Sequence, residues 1–584
     1  MSGAHEDTMI ETSPTLPTIP AGWPVYTLAD VRAELCAPGM PFEMETVTIR
    51  GVPTRVWKNA LPDLRGVLAA ARTHGAVDFL VYGEERVSFD AFHRAVAAMA
   101  AALSARGVTK GDRVALAMRN LPEWPVAFMA VAALGAIIVP LNAWWTGEEL
   151  AFALEDSGAK LLIADADRWM RIAPHAAGLP LAGAVVSRGA AEGAERLEDL
   201  IGAPASWADL PDAELPFAPL HSDDPAGIFY TSGTTGKPKG ALGTHRNLVT
   251  NIMTSAWSGA QSARRRGDGL PEPKPRVILL AVPLFHATAF SATLMGSLAG
   301  GSRLVLLHKW DTLEAMRLIE KERVSMTGGV PFIAWQLIEH PERDKFDLSS
   351  LEAIAYGGAP SAPELVSAIW QTFGALPGNG WGMTETSATV THHMAEDYLN
   401  RPSSCGPAAP VASLEIRADD GVTVLPPNTV GELWASGPMI VAGYWNRPEA
   451  TAQTFVDGWV RTGDLAKLDD EGFCTIVDRA KDVIIRGGEN IYSIEVENVL
   501  YEHPAVTDAA LVGIPHRTLG EEPAAVVYLA PGAQASEAEL KAFVAARLAG
   551  FKVPVRIAFS EQTLPRNANG KILKGELKAM LAET

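Results

Sequence analysis

The stretch "ERVSFDAFHRAVAAMAAALSARGVTKGDRVALAMRN", residues 85–120, limits the fold more than any other part of the chain. Ser88 can cap a helix, and Phe89, Phe92, Val96, Met99 and Leu103 then recur at the spacing that lines one helical face. Gly107 stops that helix, because glycine enters the left-handed conformation in which helices commonly end. "RVALAM" follows without polar alternation and reads as a strand buried on both faces. A further helix and "AIIVP" repeat the pattern. This βαβ rhythm predicts an α/β fold: a large N-terminal domain of covered, mainly parallel sheets.

From about residue 480 the style changes. "AVTDAALVGI", "PAAVVYLA" and "VRIAFS" read as strands, with a helix between the last two opened by the capping box Ser536-x-x-Glu539. "PRNANGKILKGELKAML" is a turn-rich loop running into a final helix. The predicted organisation is a flexible tail at 1–20, a large domain at 21–479 and a smaller α+β domain at 480–584. The hinge between the two is placed at "DRAKD", residues 478–482.

Charge and composition exclude several functions. A formal net charge of −19 opposes nonspecific nucleic-acid binding, and it means that an anionic substrate must be met by local positive groups. Cys36, Cys405 and Cys474 show neither metal-ligand spacing nor a disulfide framework and are expected to be reduced thiols of a cytoplasmic protein. The polar, mildly acidic opening suits a flexible tail and opposes a cationic targeting segment. His392 and His393 are neighbours without a second ligand pair and are read as a surface feature, and "RRRGDGLPEPKP" (264–275) as an exposed loop. Two uncharged stretches, 125–145 and 277–302, are long enough to span a bilayer. Gly135 and Pro140 divide the first, and Pro283, His286 and Gly300-Gly301 the second, so both are assigned to buried α/β core. No transmembrane segment is expected; peripheral membrane contact and a homodimer stay open.

"FYTSGTTGKPKG", residues 229–240, has the glycines, hydroxyls and lysines of a phosphate-gripping loop. Yet Gly236-Lys237 is followed by Pro238, which has no N–H to donate and disfavours a helix at the residue before it. If the loop holds phosphates, it does so outside the usual strand-to-helix setting. Downstream come "GGAP" (357–360), "GNGWGMTET" (378–386), "GWVRTGDLA" (458–466), "DRAKDVIIRGGENIYSIEVE" (478–497) and "PRNANGKI" (565–572). In this order and spacing the motifs resemble the acyl- and aryl-CoA synthetases of the adenylate-forming superfamily, from about residue 60 onward.

The resemblance implies two half-reactions. A carboxylate attacks the α-phosphorus of ATP, giving an acyl-adenylate and pyrophosphate; a thiol, usually that of coenzyme A, then displaces AMP. It also implies a mobile C-terminal domain and a requirement for Mg²⁺. Thr231, Ser232, Gly233, Thr234, Thr235, Gly236 and Lys237 match the family's phosphate loop, which joins two strands and so tolerates Pro238. Glu385 matches the magnesium-binding glutamate and Thr384 an α-phosphate ligand, within "GMTET" that also contains Gly382. Trp381 stands where many relatives carry an adenine-side tyrosine, and Gly357, Gly358 and Ala359 line the adenine slot. Asp464 matches the ribose acceptor, Arg479 a ribose and phosphate contact, and Lys481 the hinge position. Lys571 matches the catalytic lysine that bridges carboxylate and α-phosphate. Gly487 and Gly488 match the loop that leaves width for pantetheine once the small domain has turned.

His286 in "PLFHATAF" matches a position beside the substrate carboxylate. "FHATAF", "TGGVPF" and "AYGGAP" supply apolar, small-rich walls without Arg, Lys or Asp, so a second charge on the substrate would be left unpaired. The expected substrate is an apolar monocarboxylic acid, with a medium- or long-chain fatty acid first and aryl or steroid-side-chain acids next. The competing functions are a stand-alone adenylation enzyme that loads a carrier protein, a nucleotide-binding protein without activity, and a luminescent oxidation.

Overall fold

The computed structural model describes residues 22–189, 192–231, 237–359, 361–567 and 570–582. The expected tail and Ser232–Gly236 of the phosphate loop lie outside the described residues.

Two large sheets form the body of the N-terminal domain. In the first, the strands Arg113–Ala117, Ile137–Pro140, Leu161–Asp165, Gly183–Ser187, Glu195–Arg196 and Pro225–Thr231 run parallel, and Lys239–Thr244 closes one edge antiparallel. In the second, Asp78–Tyr82, Arg303–Leu306, Val277–Leu280, Met326–Gly329, Ala353–Gly357 and Leu376–Met383 run parallel. Antiparallel strands, Glu85–Ser88 and Ala388–Met394, end that sheet on either side. Helices cover both sheets, as the βαβ reading requires. Helix Phe89–Ala105 is capped by Ser88, whose hydroxyl accepts from Ala91 N at 3.2 Å.

The uncharged stretch 125–145 resolves into the wholly buried helix Glu123–Ala133 and the buried strand Ile137–Pro140. Phe128 of that helix packs at a tilt against Phe290 with ring centroids 4.0 Å apart, and Phe290 meets Phe229 at 5.6 Å. The aromatic seam therefore packs two helical segments against the first sheet, and no described helix is long and apolar enough to cross a membrane.

A third, antiparallel sheet contains Ser413–Arg417, Gly431–Ser436, Trp459–Leu468 and Phe473–Arg479. The chain then enters the smaller α+β domain. There the hairpin strands Val506–His516 and Gly520–Leu529 carry the parallel strand Arg556–Phe559 and pack against helices Ser493–Tyr501, Glu537–Ala545 and Lys574–Ala582.

Two expectations are corrected. His392 and His393 are not a surface feature. They lie in the strand Ala388–Met394, where His393 is 1% exposed and its Nε2 meets Ser404 O at 2.9 Å. Helix His245–Arg265 covers His392 through Ser258, and Tyr398 and Phe473 cover His393, so burial pushes their pKa values down to about 4 and about 3. The arginine run is likewise not a loop: Arg264 and Arg265 form the last turn of that helix. Arg265 is buried and ion-paired to buried Asp397, Nε to Oδ1 2.9 Å. A cation suits a helix C-terminus, where carbonyl dipoles are unpaired, and the exposed loop starts only beyond Arg266.

Candidate active site

The cleft is built where several strands end. Strand Pro225–Thr231 delivers Thr231 and pairs with Lys239–Thr244, so the loop between them is a strand-to-strand connection. Lys237 Nζ lies 4.6 Å from the Phe152 ring centroid, and Lys239 Nζ 5.0 Å from that of Tyr444. Residues 442–445 brace the second strand: Trp445 N donates to Gly240 O at 2.7 Å and Leu242 N to Gly443 O at 2.9 Å.

Strand Leu376–Met383 carries Trp381 and Gly382, then breaks into a short turn holding Thr384 and Glu385. The following residues Ser387 and Ala388 have φ of 50° and 96°, strained values for side chains other than glycine, and they fix this turn against its neighbours. Glu385 is buried. Its backbone carbonyl accepts from Val441 N at 3.0 Å, and its Oε1 from the Tyr444 hydroxyl at 2.6 Å. Oε2 has no partner among the described residues. One anchored carboxylate with a free oxygen suits a magnesium ion that takes its other ligands from phosphate and water.

Asp464 sits on strand Trp459–Leu468, paired in register with Arg479. Its Oδ2 accepts from Trp381 Nε1 at 2.8 Å, and its Oδ1 lies 2.6 Å from Arg479 Nε. Burial raises the Asp464 pKa against the pull of Arg479. The indole thus orients a carboxylate instead of standing free. Gly357 and Gly358 end the neighbouring strand Ala353–Gly357, with Ala359 next to them. A Cβ on Gly357 would come within 2.6 Å of Gly380 O, so glycine permits the close strand approach here.

Lys571 enters the same cleft from the small domain. It follows a turn in which Lys571 N donates to Asn567 Oδ1 at 3.0 Å and Gly570 N to Asn567 O at 2.9 Å. Gly570, at φ 75°, lets this turn lie against the large domain: a Cβ there would meet Val330 Cγ2 at 2.5 Å. Arg566 clamps the seat, with its guanidinium 4.5 Å from the Phe332 ring centroid and an ion pair to Asp508 at 2.6 Å. Lys571 is enclosed yet has no carboxylate within ion-pair distance among the described residues. Burial, then Arg479, lowers its pKa, while Asp464 and Glu385 act in the opposite direction. His286 is close enough to feel Lys571, and burial pushes its pKa down to about 4, so the ring is neutral near pH 7.

The cleft therefore gathers Thr384, Glu385, Trp381, Asp464, Arg479, His286 and Lys571. It does not gather every expected residue. Gly487 and Gly488 form the exposed turn of the hairpin Ile484–Arg486 to Glu489–Ile491, against Leu519. Lys481 is exposed on the connection between the domains, and its pKa is lowered chiefly by partial burial. Tyr444 is the residue that sequence reasoning missed. The run "GYWN" at 443–446 was available, but nothing in it says that its tyrosine meets Glu385.

A family model described as "AMP-binding enzyme" matches residues 68–445, and one described as its C-terminal domain matches 495–571. The chain belongs to the AMP-binding enzyme family. Its relatives include a feruloyl-CoA synthase of an Amycolatopsis species, 37% identical over 85% of this chain and 94% of that one. The long-chain-fatty-acid–CoA ligase FadD13 of Mycobacterium tuberculosis is 35% identical over 82% and 90%. Among solved structures, the o-succinylbenzoate CoA synthetase of Bacillus subtilis in complex with its acyl-adenylate intermediate is 31% identical, with a TM-score of 0.72 over 88% and 98%. AMP-binding enzymes of this kind are AMP-forming acid–thiol ligases, and acyl- or aryl-CoA ligase activity is the function these relatives share with the chain.

Proposed function

We propose that the chain activates a hydrophobic monocarboxylic acid with ATP and transfers the acyl group to coenzyme A. The observation that carries this reading is Lys571, a half-buried cation with no carboxylate within ion-pair distance among the described residues, near enough to Glu385, Asp464 and His286 to interact with them electrostatically. A buried unpaired charge costs stability, and such groups are retained where an anion arrives to pair with them.

In the first step a carboxylate oxygen of the acid bonds to the α-phosphorus of ATP, and the bond from that phosphorus to the bridging oxygen breaks, releasing pyrophosphate. Both partners are anions. Lys571 lowers their repulsion by hydrogen-bonding the carboxylate and an α-phosphate oxygen, and Thr384 donates to the same phosphate. Neutral His286 can donate to the carboxylate without adding charge. Asp464, held by Trp381 and Arg479, accepts from the ribose hydroxyls. Thr231–Lys237 would cover the leaving phosphates. Mg²⁺, held through Glu385, would supply positive charge at those phosphates. In the second step the thiol gives up its proton to solvent, its sulfur bonds to the acyl carbon, and the carbon–oxygen bond to AMP breaks. For this the small domain turns about Lys481, withdrawing Lys571 and presenting Gly487 and Gly488.

Incubation with ATP, Mg²⁺, coenzyme A and a panel of fatty, aryl and steroid acids tests the reading. Pyrophosphate, AMP and thioester are expected in equal amounts. Pyrophosphate release with no CoA thioester would favour loading of a carrier protein, and no release with any acid would end the ligase reading. Tyr444→Phe removes the hydroxyl that orients Glu385 and is expected to lower kcat/KM for magnesium-ATP about tenfold, the scale of one hydrogen bond to a charged group. An unchanged value at limiting Mg²⁺ would show that the anchor is dispensable.

A further inference from the structure

Helix Gly147–Ser157 packs beside the strands that frame the cleft, and its last turn holds an acid in an unfavourable place. Carbonyl dipoles gather at a helix C-terminus and repel a carboxylate, and no basic side chain in that turn offsets them. Asp156 is nevertheless enclosed, with its side chain 8% exposed. Its compensation comes from two distant parts of the chain. Oδ2 accepts from the Tyr230 hydroxyl at 2.8 Å, and Oδ1 accepts from Arg447 Nη2 at 2.5 Å. The helix backbone takes part as well: Asp156 O accepts from Asn446 Nδ2, and Ala153 O from the Tyr230 hydroxyl, each at 3.3 Å.

These two partners lead to the two halves of the nucleotide site. Tyr230 immediately precedes Thr231 on strand Pro225–Thr231, from whose end the phosphate loop departs. Its ring also lines a small cavity of the cleft together with His286 and Thr384. Phe152, one turn before Asp156 on the same helix face, meets Lys237 beyond the loop. Arg447 belongs to the segment that carries Tyr444: its N donates to Tyr444 O at 3.2 Å, and Tyr444 N donates to Thr451 Oγ1 at 2.9 Å. Tyr444 in turn holds the Glu385 carboxylate. One carboxylate therefore stands between the base of the phosphate loop and the anchor of Glu385.

We infer, resting on the ligase reading, that Asp156 is a positioning residue for magnesium-ATP: through Tyr230 and Arg447 it holds the base of the phosphate loop and the anchor of the magnesium carboxylate in one frame. The phosphates and Glu385 would share one ion, so the two parts must keep a fixed separation for both sets of charge-assisted contacts to form together. Tyr230, Asp156 and Arg447 are links in series. Cutting any one of them undoes the same tie.

The test measures, by calorimetry, the affinity for the magnesium complex of an α,β-methylene analogue of ATP, beside KM for magnesium-ATP in acid-dependent pyrophosphate release. Asp156→Ala, Tyr230→Phe and Arg447→Met are each expected to weaken both about tenfold, the scale on which groups that orient metal ligands act. KM for the acid should not follow, because the acid does not bridge the two parts. Any two of the changes together should weaken binding little more than one, whereas independent structural effects would multiply. The inference is overturned if Asp156→Ala folds and binds the analogue as tightly as the unmodified protein. It is overturned equally if paired changes multiply in full. Should Asp156→Ala not fold, Tyr230→Phe and Arg447→Met, singly and together, decide the same question. The calorimetry contains no acid, so the two readings fail separately. Unchanged affinity in an enzyme that activates acids ends this inference alone, and weakened affinity beside activation of no acid ends the ligase reading and leaves the frame standing.

Discussion

Lys571→Ala is expected to lower ATP–pyrophosphate exchange by about 10²- to 10³-fold, the scale of removing one preorganised electrostatic donor from a transition state. The loss should fall on kcat rather than on KM for ATP, because the ammonium bridges groups that come together only as the reaction proceeds. Lys574, three residues on, provides the contrast. Its Nζ lies 2.8 Å from Glu497 Oε1 and 2.6 Å from Ser493 Oγ, so its charge is already used inside the small domain. Lys574→Ala is a stability change, visible as a lowered Tm. Lys571→Ala removes a cation with no ion-pair partner among the described residues and should leave the unfolding free energy within about 1 kcal/mol of the unmodified protein's.

Arg265→Met is expected to destabilise the large domain by about 3–5 kcal/mol, because it strands a buried carboxylate. Arg265 and Asp397 are 1% and 2% exposed, and burial already raises the Asp397 pKa to about 6 against the pull of Arg265. The same guanidinium lies 5.2 Å from the Trp23 ring centroid, so the start of the described chain loosens with it. The pH dependence has a definite sign. With a folded pKa above its ordinary value of 3.8, Asp397 contributes most below that value and loses its contribution as pH rises through about 6. The deficit of Arg265→Met should therefore be larger at pH 8 than at pH 5, where the stranded acid protonates. Urea unfolding followed by tryptophan fluorescence measures this. The double change Arg265→Met, Asp397→Leu should recover most of the loss, since an apolar pair of similar volume avoids the desolvation cost.

The fold class was legible because the strands Arg113–Ala117 and Ile137–Pro140 are apolar without alternation and the helix before the first is amphipathic with its cap in place. Local rules and the global answer agree there. The cleft was legible as motifs in order, since glycine, hydroxyl and charged residues at fixed places leave a trace in one dimension. What could not be read was partnership across the chain. Tyr444 and Glu385 are 59 positions apart, and Arg265 and Asp397 are more than twice as far apart in sequence. A basic run looks the same whether its members end in solvent or in a buried ion pair. His392 and His393 misled for a related reason: adjacent strand residues do point apart, but both sides of this strand are covered.

The central claim is that Lys571 serves adenylation and then leaves. The most direct measurement supplies pre-formed acyl-adenylate and coenzyme A to Lys571→Ala and follows thioester formation in a single turnover. The account predicts a rate within a few-fold of the unmodified enzyme's, beside the severe loss in pyrophosphate exchange. An equal loss in both half-reactions, or a variant that still makes adenylate at full speed, would contradict it.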